Sequence, residues 1–159
     1  MDFRVALATS VLSCSVACSG IASPPEGLPE MAVSRVQALH DRAQAMLEAD
    51  EAEFLERMRT RPESFRDGDL YVSLIDGEAR LLASSARGVG AAGGAGRDLG
   101  ALRDCTGRLF VREFVELARI QRRGSYEYCW INPETGQAAT KFTNFRSVGG
   151  RVLTVSGWK

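Results

Sequence analysis

Two runs of alternating side chains, Ser125 to Ile131 and Ala139 to Arg146, are separated by little more than the turn sequence Asn132-Pro133-Glu134-Thr135-Gly136. A chain carrying such a pair closes an antiparallel hairpin, and because the side-chain period is two, the register decides which residues are buried together. Alternation puts Tyr126, Tyr128 and Trp130 on one face of the first run and Glu127, Cys129 and Ile131 on the other. Lys141, Thr143 and Phe145 share a face of the second. The three aromatics and the lysine either line one cavity or form a core cluster from which the lysine reaches solvent.

Between Pro29 and Arg61 the apolar positions Val36, Leu39, Ala43, Met46, Leu47, Phe54, Leu55 and Met58 recur at helical spacings, with a break near Asp50. This predicts one long amphipathic helix, or two in line, covering one side of a sheet. His40, the only histidine, lies beside the stripe and is expected on an exposed or half-buried helix surface, without a ligand or catalytic role. Phe65 to Asp69 reads as a polar turn. Leu70 to Ile75 is rich in strand formers, and Asp76-Gly77 predicts a tight hairpin turn into a second strand, Glu78 to Ser84. Leu109, Phe110, Phe114, Leu117 and Ala118 predict a helix from about Arg108 to Arg122, capped by Asp104 or Thr106 and ended by Gly124 in a left-handed conformation. A last strand, Arg151 to Trp158, follows Val148-Gly149-Gly150. The order of long helix, two strands, helix and three strands gives an α+β fold: a five-stranded antiparallel sheet with helical cover.

At 159 residues the chain is expected to form one domain. Its 20 basic and 20 acidic residues leave no chain-wide field that would favour nucleic acid. Val5 to Ala22 is apolar or small, and the breaker run Ser23-Pro24-Pro25-Glu26-Gly27 follows. Residues 1–22 are therefore expected to be a signal peptide or a lipoprotein signal, with Cys14 or Cys18 as the candidate lipidated cysteine, or else an uncleaved anchor. Residues 23–28 form a linker and 29–159 the domain. Gly88 to Gly96 contains a G-x-G-x-x-G spacing, but it follows a hairpin strand and precedes no crossover helix, so it reads as a flexible loop and not a nucleotide cradle. Cys105 and Cys129 remain in the domain, and an even count in an exported chain permits a disulfide. A fifteen-residue helix rises roughly 22 Å and seven strand residues return about the same distance, so the two cysteines either meet or stay as buried free thiols. No histidine or C-x-x-C partners them, so no metal or other cofactor is expected. No nucleophile stands at workable spacing from a base, and Asp67 with Asp69 reads as a turn, so no enzyme is expected.

Several segments follow one another in a specific order: Phe65 to Val72 with Asp76-Gly77, Gly96-Arg97-Asp98-Leu99, Asp104 to Glu113, Trp130-Ile131-Asn132-Pro133 with Lys141, and Ser156-Gly157-Trp158. Together they resemble the landmarks of the single Cache domain family, second subtype, over about Pro29 to Lys159. The resemblance implies a periplasmic or otherwise extracytoplasmic PAS-like sensor domain. In it a long N-terminal helix packs on one face of the sheet, and the other face binds a small organic acid or an amino-acid-like ligand. It also implies a membrane signalling protein as partner. Two departures stand out: the glycine loop replaces a shorter segment, and no membrane-spanning or signalling segment follows Lys159, so the chain is expected to bind without signalling by itself. Tyr71, Tyr126, Tyr128, Trp130 and Lys141 are the expected ligand-binding residues, an apolar wall with phenol hydroxyls and one ammonium. Arg112 either clasps the same anion or pairs with Glu113 or Glu116 on its own helix. The alternative function is a structural or protein-interaction domain with a degenerate pocket.

Overall fold

The computed structural model describes residues 30–87 and 94–159. Residues 1–22, expected to be a signal peptide or lipoprotein signal with Cys14 and Cys18, the expected linker 23–28, Pro29, and residues 88–93 of the expected glycine loop lie outside the described residues. The elements are α1 (Glu30–Ala49), α2 (Glu51–Thr60), a short 3-10 turn (Pro62–Phe65), β1 (Arg66–Asp67), β2 (Leu70–Ile75), β3 (Leu81–Ser84), α3 (Phe110–Gln121), β4 (Arg123–Ile131), β5 (Ala138–Val148) and β6 (Arg151–Trp158). Among the described residues no helix is long and apolar enough to cross a membrane.

The break at Asp50 divides the long helical pattern in two. Asp50 adopts an extended backbone and its side chain accepts from the Glu53 amide at 3.0 Å, which starts α2 as a fresh helix. Both helices bury their apolar stripe, Val36, Leu39, Ala43, Leu47, Phe54 and Met58, against one face of the sheet. That face supplies Leu70, Val72, Leu74, Phe142, Leu153 and Val155. The amphipathic α3 buries Phe110, Val111, Phe114, Val115 and Ala118 in a second cluster with Ile75, Tyr128, Phe145 and Val152.

The sheet is antiparallel throughout, in the order β1-β2-β6-β5-β4, with β3 also paired to β2. It has six strands, not the expected five. The extra strand is β1: the polar turn folds Arg66 and Asp67 back on Tyr71 and Leu70, and the bidentate grip of Arg35 on the Asp67 carboxylate holds it against α1. The Asp76-Gly77 turn is wider than a two-residue hairpin. Asp76 Oδ1 accepts from the amides of Glu78 and Arg80, Ala79 takes a positive φ, and β3 begins only at Leu81. The end of α3 also differs from expectation. The left-handed residue is Arg122 (φ 66°), whereas Gly124 lies within β4, where an added Cβ would stand 2.8 Å from the Phe145 ring. Gly124 is needed for close packing and not for turning the chain.

His40 is buried completely, contrary to its expected place on the helix surface. Its Nε2 lies 3.1 Å from the Asn144 carbonyl oxygen, so Nε2 carries the proton and Nδ1 is bare. Nδ1 is the one buried side-chain nitrogen or oxygen without a partner among the described residues. Burial, reinforced by the neighbouring Arg146 guanidinium and opposed by the Asn144 contact and Asp41, pushes the imidazole down to about 4. An unfolded histidine takes its proton near 6.5, so this contribution to stability is complete above that pH. It falls by about 1.4 kcal/mol per unit as the pH drops toward 4, roughly 3 kcal/mol in all. Urea unfolding of wild type and His40→Leu at pH 7, 5.5 and 4.5 is expected to show a steeper loss in wild type over this window. Equal slopes exclude His40 as the source.

Candidate functional site

The face of the sheet toward α3 is built by register. Across β2, β6, β5 and β4 the pairs Tyr71–Ser156, Ser156–Thr143 and Thr143–Tyr126 set one row of side chains. Trp158–Lys141 and Lys141–Tyr128 set the next. Because antiparallel partners share a face, Lys141 stands between Tyr128 and Trp158 with Tyr71 diagonally across.

Lys141 is 9 % exposed, so it does not reach into solvent. Its Nζ donates to the Tyr71 hydroxyl at 2.8 Å and lies 4.7 Å from the ring centroids of both Tyr71 and Trp158. Among the described residues no carboxylate pairs with it, whereas Lys159, the other lysine, pairs with Glu127 at 2.7 Å. Tyr128 is also buried, and that burial, with the Tyr71 phenol beside it, pushes its hydroxyl well above the usual range while Thr143 opposes the shift. Phe110, at the start of α3, stacks on Tyr128 at 4.2 Å and meets Trp130 at 5.5 Å. The neighbouring hydroxyls are already matched: Thr143 with Ser156 at 2.8 Å, and Ser73 with Ser84 at 2.8 Å. The cluster is thus one buried cation among phenols and aromatic faces, with its polar neighbours satisfied, a setting that attracts a small anion.

Tyr71, Tyr128 and Lys141 come together, and Trp130 flanks them through Phe110 and Tyr128. Tyr126 is diverted. Its hydroxyl donates to Glu113 on α3, and Arg108 lies 5.3 Å over its ring. Burial and the Glu113 bond push that hydroxyl up to about 12. Arg112 is exposed and lies against the Gly100 loop, with no hydrogen bond or ion pair to Lys141 or its neighbours and none to Glu113 or Glu116. Trp158, read from the sequence only as part of the Ser156-Gly157-Trp158 landmark, was not among the expected ligand-binding residues. The signal for it was the pairing of β5 with β6, which sets the residue two beyond Ser156 opposite Lys141. A separate groove of about 380 Å³ runs between α2 and β3, lined by Ala52, Leu55, Leu82, Ala83 and Ala95 with Glu56 and Arg59. The charged pair on its wall bonds to itself, so it offers no unmatched group.

Cys105 and Cys129 form a disulfide with α-carbons 5.2 Å apart, which removes the alternative of free thiols. The bond closes because β4 is an edge strand and the segment before α3 runs along its open side. The Cys105 amide donates to the Cys129 carbonyl at 3.2 Å, and the Arg108 guanidinium donates to the Glu127 carbonyl at 2.9 Å. Asp104 does not cap α3 as expected. Its fully buried carboxylate instead accepts from the Thr106 amide and hydroxyl, the Arg108 amide and guanidinium, and the Cys129 amide. Burial alone would raise its pKa, but these donors outweigh burial and hold the carboxyl well below the usual range. Strap and disulfide together close a sheet edge that would otherwise expose unpaired backbone, beside the strand that carries Tyr128 and Trp130.

No protein-family model and no curated protein sequence matches the chain. Solved structures do. A periplasmic sensor domain of a chemotaxis protein superposes with a TM-score of 0.57 at 23% identity, covering 80% of this chain and 90% of that one. A methyl-accepting chemotaxis protein from Vibrio parahaemolyticus RIMD 2210633 gives 0.58 at 11% identity, covering 80% and 88%. A Cache chemosensory domain, described as the structural basis for carboxylic acid recognition, gives 0.54 at 15% identity, also covering 80% and 88%. The chain therefore has the PAS-like Cache fold.

The disulfide joins positions 24 apart in sequence, and closing a loop of that size in the unfolded chain stabilises the folded state by about 3 kcal/mol. Urea unfolding of the Cys105→Ser/Cys129→Ser variant, and of wild type in a dithiol reductant, is expected to show the same loss. An unchanged midpoint in both would exclude the bond as a stabilising link.

Proposed function

We propose that this Cache-fold domain, of the second single-Cache subtype, is a non-catalytic sensory module that binds a small organic acid on the sheet face opposite α1. The observation that carries the proposal is Lys141, a cation with one-tenth of its surface exposed and no carboxylate partner among the described residues. Keeping an ammonium in such a place is costly unless something of opposite charge joins it, and a carboxylate does so while accepting short, charge-assisted hydrogen bonds. The surrounding charge favours the same ligand. Residues 108–123, which contain α3, carry five arginines against two acids, while residues 30–65, on the α1 and α2 side, carry eight acids against five arginines. The α3 side is thus the electropositive one, which draws anions toward the face that holds Lys141.

In this reading the ligand carboxylate lies between Lys141 Nζ and the Tyr71 and Tyr128 hydroxyls, while Trp130, Trp158 and Phe110 exclude water from its carbon chain. Arg112 takes no part. The reading places the domain outside the cytoplasm, exported by residues 1–22 with or without a lipid anchor, and gives it a membrane signalling protein as partner. The carboxylic acid named for one structural neighbour supports the ligand class. A second reading, an interaction domain with a filled pocket, draws on the stacking of Phe110 on Tyr128 at 4.2 Å.

Isothermal calorimetry of C2 to C4 organic acids and amino acids separates the two. At least one acid is expected to bind with saturable heat, and Lys141→Ala to weaken it by roughly 10- to 100-fold, as the loss of a charge-assisted hydrogen bond requires. Arg112→Ala is expected to leave affinity within about twofold, since an exposed charge away from the ligand contributes little. No heat from any acid, together with an unchanged melting temperature, would favour the filled pocket.

A further inference from the structure

We propose that Trp158 reports occupancy of the Lys141 site, because an anion that takes the ammonium must draw it off the indole face. The inference rests on the reading of Lys141 as the carboxylate's partner.

The ammonium has three partners: the Tyr71 hydroxyl at 2.8 Å, the Tyr71 ring and the Trp158 ring, each centroid 4.7 Å away. A contact between an ammonium and an aromatic face is weaker than a charge-assisted hydrogen bond to a carboxylate at a site shielded from water. An arriving carboxylate therefore outcompetes a ring, and the four-carbon lysine stem lets the head group follow it. The two rings are not equally easy to leave. Tyr71 also holds Lys141 through its hydroxyl and belongs to the phenol cluster with Tyr128, so departure from Tyr71 breaks more than one interaction. Trp158 holds the ammonium by its ring face alone.

The backbone around Trp158 is pinned. Its amide donates to Asp69 Oδ2 at 3.2 Å, the Lys159 amide donates to the Thr140 carbonyl at 3.0 Å, and Lys159 Nζ pairs with Glu127 at 2.7 Å. With the main chain fixed, loss of the cation is expressed in the indole side chain, which is half-buried and able to change rotamer at the end of β6. Trp158 thus sits where a change at the ammonium is felt by a side chain that meets it through its ring face alone.

The chain has two lysines and two tryptophans, so side-chain NMR of the full chain is sparse enough to follow each one. Lys141→Met and Trp158→Phe assign the signals. In the free protein the Lys141 Cε protons are expected upfield of the ordinary lysine position, under the ring currents of Tyr71 and Trp158. Trp158→Leu should move them downfield, and Trp158→Phe should keep most of the shift. An ordinary lysine position in free wild type overturns the proposal without any ligand. On titration with each C2 to C4 acid of the calorimetric screen, acetate and propionate first, the Lys141 Cε signal is expected to move downfield and the Trp158 indole N–H to shift along the same saturation curve for the acid that gives saturable heat. Saturable heat and a moving Lys141 with a stationary Trp158 indole overturns this proposal and leaves the carboxylate reading intact. No heat and no shift with any C2 to C4 acid overturns both.

Discussion

The pairing of β5 with β4 on one side and β6 on the other is the constraint on which the rest of the molecule depends. Nine residue pairs run from Arg123–Arg146 to Ile131–Ala138, and eight from Lys141–Trp158 to Val148–Arg151, with no recorded irregularity in either ladder. A slip of one residue would send Lys141 into the apolar face that α1 and α2 cover and bring Phe142 out beneath α3. Phe142, Val155, Leu153 and Val72 must meet the α1 and α2 stripe, and burying each of these side chains contributes roughly 1.5 to 3 kcal/mol. That apolar requirement leaves the register no freedom. The polar face is therefore a consequence of the apolar one: once Phe142 is committed, Lys141 has only one direction to point.

The two faces are balanced differently. Toward α1 the packing is almost entirely apolar, and the buried His40 within it is kept neutral with a bare nitrogen. Toward α3 the sheet carries Tyr71, Ser73, Tyr128, Lys141, Thr143, Thr154 and Ser156. Buried hydroxyls are tolerated when they bond to one another, and Ser73–Ser84 and Thr143–Ser156 do so. Lys141 is the exception. Its ammonium is met by the Tyr71 hydroxyl and by the Tyr71 and Trp158 ring faces, and among the described residues no carboxylate joins them.

The repeating part of the fold was legible because it rests on periodicity. The alternation in Ser125 to Ile131, the stripe from Val36 to Met58 and the break at Asp50 all appear as read. What escaped depended on contacts distant in sequence. β1 exists because Arg35, 32 residues away, grips Asp67. His40 is buried because the Asn144 carbonyl, 104 residues away, faces it. Trp158 joins the site only through its pairing with Lys141. Arg122 takes the left-handed position two residues before the glycine expected there, because Gly124 is required beneath Phe145. Local preference is a weak guide wherever packing has a competing use for the same residue.

The edge of the sheet shows how a local motif can serve a distant surface. Asp104 begins a run whose composition suits a helix cap, yet its carboxylate is turned away from α3 and into the strap along β4. An exposed edge beside Tyr128 and Trp130 would let that end of the sheet fray, and fraying would admit water to the ammonium. The disulfide, the buried carboxylate and the Arg108 contact with the Glu127 carbonyl all bear on the strand that forms one wall of the cluster. On the far side, β6 closes the cluster with Trp158, whose amide is fixed by Asp69. The cation is therefore enclosed by one strand clamped from outside and another pinned from its own end. Of the parts around it, the indole ring is bound by the weakest interaction, so a change of charge at Lys141 is expected to move that ring before it moves the sheet.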